Sequence, residues 1–235
     1  MTITVDSPLV PRGTVPDLIV DSGVHWVRDG IVLARGNAHV RAMGTAVVIA
    51  LDHATVQALE WSRVDARDHA AVHDAADEAR VVARGLARVY ARGHARIRAQ
   101  DAAYVQATEH CRVIARDRVV VEASGEARVH ADGYVRVLAG GRADIVASGH
   151  VTVEAVEAAR VDAHGWVRID AAHDVTVVAW DDATVVTSWQ GQLRNAPQLI
   201  RGAVWLECSH GRAPKLRTAA TFEEARRRRA EGPAA

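Results

Sequence analysis

The sequence predicts an all-β fold, a parallel β-solenoid in which each coil holds two short strands. Three observations carry this expectation. An eight-residue unit, small-x-Val-x-Ala-x-Gly/Asp-x, recurs through most of the chain. Aromatic residues make up only 4% of a chain that is 49% apolar. A finer alternation within the unit doubles its true period to 16 residues.

The unit is explicit from Ala79 onward, as in Ala127-Arg128-Val129-His130-Ala131-Asp132-Gly133-Tyr134 and Ala159-Arg160-Val161-Asp162-Ala163-His164-Gly165-Trp166. Its central position is Val or Ile in 14 successive units from Val81 to Val185, and its last inward position is Ala from Ala83 to Ala179 before giving way to Thr187. A helix cannot use this spacing. At about 100° per residue the apolar stripe would drift by roughly 80° with each unit and spiral around the cylinder. Alternation of inward and outward residues instead makes a short strand, and the Gly or Asp two residues after the last Ala supplies the turn.

The first inward position decides how many strands close a coil. Cys111, Ala127, Ala143 and Ala159 occupy one set and Val119, Val135, Val151 and Val167 the other, so two strands and two turns make one coil. Identical positions then stack about 4.8 Å apart in two facing parallel sheets. Small-Val-Ala triplets fill the space between the sheets, which predicts a narrow Ala/Val core with no internal room for a ligand.

Taken in chain order, residues 1–22 precede the clear repeat and are expected to form an N-terminal cap over its first coil. Residues 23–189 are the solenoid, about ten coils and on the order of 50 Å long. Its first third has Val40, Val48, Val56, Val64 and Val72 at the center, followed by Ala42, Ala50, Ala58 and Ala66. Val72 and Val81 are nine apart, so a one-residue insertion falls within 70–79, most simply as a bulged turn around His73-Asp74-Ala75-Ala76-Asp77. Trp26 at an Ala slot, and Trp189 and Trp205 after the last unit, are read as residues that close the end coils. Residues 190–220 form a C-terminal cap and irregular segment, with Gly202 to Cys208 as one more strand. Thr221-Phe222-Glu223-Glu224 has the form of a helix start, giving residues 221–235 a short basic helix and a tail.

Charge and cysteine usage exclude several classes. With 29 basic and 29 acidic residues the formal net charge is zero, so no global field draws the protein to nucleic acid or to an acidic membrane. Cys111 and Cys208 make neither a disulfide framework nor a zinc site. No apolar run approaches the roughly 18 to 20 residues that cross a bilayer, and the expected location is the cytoplasm.

Stacking turns each position of the unit into a column, and three columns and two local clusters are candidates for function. His94, His110 and Glu126 share one corner, but zinc would need further ligands at about 2 Å, so no metal or cofactor is expected. Asp68-His69 and His73-Asp74 flank the insertion as a possible acid-base pair, with no nucleophile in view. Arg80, Arg96, Arg112 and Arg128 form a ladder that is self-repulsive unless anions or carboxylates such as Asp65 and Asp162 interleave. The run Arg226-Arg227-Arg228-Arg229 is a second candidate for an anionic partner. Ile31, Leu33, Val47, Ile49, Val82, Ile114, Val146 and Val178 form an intermittent outward apolar column, the expected oligomer face.

The octads from Ala79 to Thr187 resemble the octapeptide-repeat proteins of GC-rich bacteria and their phages, a group without a settled function. In architecture the chain is also similar to ice-nucleation proteins and to bactofilins, which polymerize end to end, although it lacks the outward Thr and Ser rows of the former. The functional expectation is a noncatalytic scaffold or protein-interaction rod that self-associates through the apolar face or an end coil. The alternative is a module that binds anions or nucleic acid through the Arg column or the arginine run. An enzyme with a site at a subunit seam comes third.

Overall fold

The computed structural model describes residues 4–187, 193–194, 196–200, 202–208 and 215–218. These form 25 strands and, among the described residues, no helix. The predicted helix at 221–230, the arginine run and Trp189 lie outside the described residues. Odd-numbered strands, from β1 (Leu18–Val20) to β23 (Gln198–Ile200), stack in parallel into a 12-stranded sheet. Even-numbered strands, from β2 (Val24–Val27) to β24 (Val204–Glu207), stack into a 13-stranded sheet that ends on an antiparallel strand, β25 (Lys215–Thr218). The architecture is a parallel β-solenoid of about 11 turns.

The 16-residue period is the register of both sheets, with Arg96 opposite Arg112 in one and Tyr104 opposite Val120 in the other. The inward positions are buried at 5% exposure or less from Val32 to Val185, and nearly all are Ala, Val or Ile. Among the described residues the larger buried side chains of this interior are Leu199 and Trp205, in its last coil, with Leu193 partly buried against it.

The Gly/Asp position has a common backbone. From Gly36 to Asp181 the turn residue has a positive φ whether it is Gly, Asp, Glu or His, as at Gly85 (65°), Asp101 (60°), Glu109 (57°) and His173 (65°). Many of the acidic residues also accept the amide of the turn below. Asp52 bonds the Gly36 N–H at 3.0 Å, Glu60 that of Gly44 at 2.8 Å, and Glu109 that of Gly93 at 3.0 Å. Left-handed backbone costs an L-residue about 1–2 kcal/mol, and this charge-assisted bond offsets it.

Alternation between small residues and Val distinguishes two corners. Where the slot after the turn is small, its N–H closes a tight turn, as from Ala54 to the Leu51 carbonyl (3.0 Å) and from Cys111 to that of Thr108 (3.3 Å). Ahead of Val119, Val135 and Val151 the preceding strands run on for six residues, β13 (Arg112–Asp117), β15 (Arg128–Gly133) and β17 (Asp144–Gly149). The branched side chain thus fits a wider corner with an extended approach.

Two local expectations are corrected. The insertion is a bulge inside a strand, β8 (Ala71–Ala75), rather than a bulged turn: Val56 pairs with Val72 but Gln57 with Asp74, leaving His73 as the extra residue. The strand pairs on both sides, so the stack is continuous there. Trp26 does not fill an Ala slot, because β2 is only 15 residues from its neighbor. It stands opposite outward-facing Arg41, is 67% exposed, and lies under that guanidinium at 4.8 Å.

The N-terminal segment covers a sheet face. Val5 and Thr14 form an antiparallel bridge, and Val5 packs with Leu33 and Ile49, which are 4% and 2% exposed. Arg67 pins this hairpin by donating to the Asp6 carbonyl while pairing with buried Asp65 at 2.7 Å.

Candidate functional site

The sequence left two candidate columns on separate positions of the unit, the Arg ladder before the central Val and the His-His-Glu corner. Strand and turn place them side by side. Arg96, Arg112, Arg128, Asp144 and Arg160 project from the odd sheet, and Glu78, His94, His110, Glu126 and Arg142 come from the adjoining turns. Together they line an open groove of about 700 Å³ that runs along the rod.

All ten lining residues are charged or histidine. Three contacts tie up part of the set: Arg96 to Glu78 at 3.8 Å, Arg142 to Glu126 at 3.8 Å, and His110 to Glu126 at 3.4 Å. Arg80, Arg112, Arg128 and Arg160 have no carboxylate partner among the described residues. Asp144 interleaves between Arg128 and Arg160, but Asp65 and Asp162 are used elsewhere. Asp65 holds Arg67, and Asp162 holds His164 (3.1 Å) and the Trp180 indole (3.1 Å). Guanidiniums kept at strand spacing in water repel by about 1 kcal/mol per neighboring pair.

His94 and His110 stack with ring centroids 5.2 Å apart and planes 25° from parallel, so their nitrogens lie beside one another instead of converging. Among the described residues no group of three His, Cys, Asp or Glu is placed to hold a metal ion. The His73-Asp74 pair is divided by the bulge: His73 stacks on Tyr90, while Asp74 takes hydrogen bonds from Arg92 (2.8 Å) and Gln57 (3.1 Å). The Arg92 bond holds the Asp74 carboxyl below the usual carboxylate range, an ion pair at rest and a poor proton acceptor. On the other side of the bulge, Asp68 has the positive φ of a turn residue and His69 lies against His53 with centroids 5.2 Å apart and the rings tilted by 35°.

The expected oligomer face is broken up. The hairpin buries Leu33 and Ile49 and packs against Ile31 and Val47. Val82 and Val178 are half-buried while Ile114 and Val146 are exposed, and each is separated from the next by a polar rung: Arg98, His130 and Asp162. Among the described residues the apolar positions of this column are not continuous.

Two features escaped the sequence reading. One is an exposed stack of Tyr134, His150 and Trp166 at the opposite corner, with centroids 5.1 and 6.2 Å apart. Its members were visible as one column, but their mixed types hid that their rings stack. The other is the difference between the two ends. Leu18 faces inward opposite Val32 yet is 42% exposed, because no strand among the described residues stacks below it, and Val24, opposite outward His39 in the other sheet, is 69% exposed. At the far end Trp205, inward opposite Val185, is only 7% exposed.

No helix among the described residues is long and apolar enough to cross a membrane. Comparison with protein-family models, curated proteins and solved structures finds no match to this chain.

Proposed function

We propose that the protein is a noncatalytic cytoplasmic rod that joins a second copy of itself through its first coil. The contrast between Leu18 and Trp205 carries this reading. Among the described residues β1 and β2 pair on one side only, and their Leu18, Ile19, Val24 and Trp26 are 42%, 37%, 69% and 67% exposed. Open parallel edges with apolar side chains are templates for further strand pairing. Antiparallel β25 makes the opposite end a different surface, which favors a closed, two-fold, head-to-head pair over an open filament.

A core filled with Ala and Val, and grooves lined by solvated charges, support a structural role over catalysis. The likeness of the octads to repeat proteins of GC-rich bacteria is in keeping with this. Sedimentation velocity across a concentration series tests the proposal. The expected result is a dimer that Leu18→Lys with Val24→Lys converts to a folded monomer. A wild-type chain that stays monomeric throughout, or a dimer indifferent to both substitutions, overturns it.

A further inference from the structure

We infer that the groove on the odd sheet binds a single-stranded nucleic acid by its phosphates, without reading its sequence. Arg63, Arg80, Arg96, Arg112 and Arg128 stand directly opposite one another on five consecutive strands, all exposed, and only Arg96 has a carboxylate partner among the described residues. Glu126 is drawn to the corner by His110 and Arg142, which leaves Arg112 and Arg128 facing open groove. Asp144 interrupts the ladder before Arg160, so the strongest stretch is N-terminal to it.

The shape selects among polyanions. Five rungs at strand spacing make a straight row on the order of 19 Å long. A compact anion would occupy one or two rungs. A duplex backbone winds away from a straight row, whereas a single strand can follow it. The groove has no apolar lining to anchor a peptide, and its only rings, His94 and His110, stack on each other. What remains is charge neutralization by arginine, the sequence-independent mode of nucleic-acid binding.

Fluorescence anisotropy with labeled oligothymidine, using the full chain, provides the test. The arginine run at the C-terminus is a competing site, so each measurement is repeated with Arg226, Arg227, Arg228 and Arg229 all changed to Ala. The expected result is binding that survives this change and weakens steeply between roughly 50 and 200 mM salt. Arg112→Gln with Arg128→Gln should lower affinity on the order of tenfold and flatten the log-log salt slope by about 0.7 for each phosphate no longer neutralized. Circular dichroism confirms that the variant keeps its strands. Absence of binding at low salt, loss of all binding with the C-terminal change, an unaltered slope in the double variant, or equal affinity for poly-glutamate overturns the inference.

Discussion

The Asp101 carboxylate accepts the backbone N–H of Gly85, one coil below, at 2.9 Å, while the Asp101 backbone itself holds a φ of 60°. The same residue's N–H is in turn bonded by Asp117 at 3.3 Å. An acidic turn residue therefore does what glycine cannot: it ties its own corner to the corner before it. Glycine accepts the left-handed φ without cost but offers no acceptor. Such an acidic rung trades backbone strain for a charge-assisted bond between coils.

Replacing Asp101 separates these two effects. Asp101→Ala keeps the strain and loses the bond, and should cost about 1–2 kcal/mol. Asp101→Gly relieves the strain and should cost less, while Asp101→Asn retains an acceptor and should cost least. Thermal unfolding ranks the three, and faster hydrogen exchange at the Gly85 amide in the Ala and Gly variants locates the damage. An Asp101→Ala variant as stable as the wild type would show that the bond contributes nothing.

How much of this was legible in the sequence depends on whether a residue's role is repeated. Val129 and Ala131 recur in every unit, so the register, the inward faces and the period of the coil follow from the pattern. The bulge at His73 was legible as a count but not as a location, since nine residues between Val72 and Val81 fit a turn or a strand equally. Leu33 and Ile49 misled because outward apolar residues are normally exposed, and nothing periodic announces that Val5 folds back over them. The groove was hidden for a related reason. Arg112 and His110 belong to different columns, and only the corner geometry makes them neighbors.

Cys111 occupies an inward slot with no solvent exposure, and burial pushes its thiol up to about 11. It should resist alkylation in the native protein, because the thiolate is the reactive form. Cys208 is partly exposed and free, and should react first. Mass spectrometry after brief iodoacetamide treatment should find one modified cysteine in the native state and two after denaturation. Cys111→Ala matches the neighboring Ala95 and Ala127 and should cost about 1 kcal/mol or less.

Asp74 makes the bulge sensitive to acid. Arg92 holds its carboxyl below the ordinary range, so the folded state binds that proton less readily than the unfolded chain. The resulting stabilization is fully present above the unfolded carboxyl's pKa and is lost as pH falls through the lower folded value. Asp74→Asn should lower stability at neutral pH and flatten its decline in acid. Parallel acid limbs for wild type and variant in denaturant titrations would remove Asp74 as the cause.

The two corner types predict opposite responses to changing one side chain. Val135 follows a six-residue strand, and Val135→Ala removes two buried methyl groups, which costs about 2 kcal/mol with the cavity included. Ala127 closes a tight turn onto the Ser124 carbonyl at 3.4 Å, and Ala127→Val overfills it at about 1–3 kcal/mol. Making both changes swaps the volumes without swapping the backbones. The double variant should therefore be no more stable than the sum of the single losses, as thermal unfolding would report. Mutual rescue would mean that total core volume matters and corner shape does not.

The Asp65 side chain is fully buried on an outward column, and Arg67 is its only side-chain partner among the described residues. One carboxylate oxygen, Oδ1, has no hydrogen-bond partner, so the pair depends on the single guanidinium that also grips the Asp6 carbonyl. Arg67→Ala leaves a buried carboxylate uncompensated and should cost about 3–5 kcal/mol. It also releases the hairpin from the sheet, so trypsin should cleave after exposed Arg12 faster than in the wild type. Asp65→Leu with Arg67→Leu replaces the pair with apolar volume beside Ile49 and should recover most of the stability. Hairpin attachment then rests on the packing of Val5 and Val10 against the cluster of Leu33 and Ile49, and cleavage after Arg12 should fall between the two extremes. Wild-type protection in Arg67→Ala would show that the apolar contact holds the hairpin without the arginine.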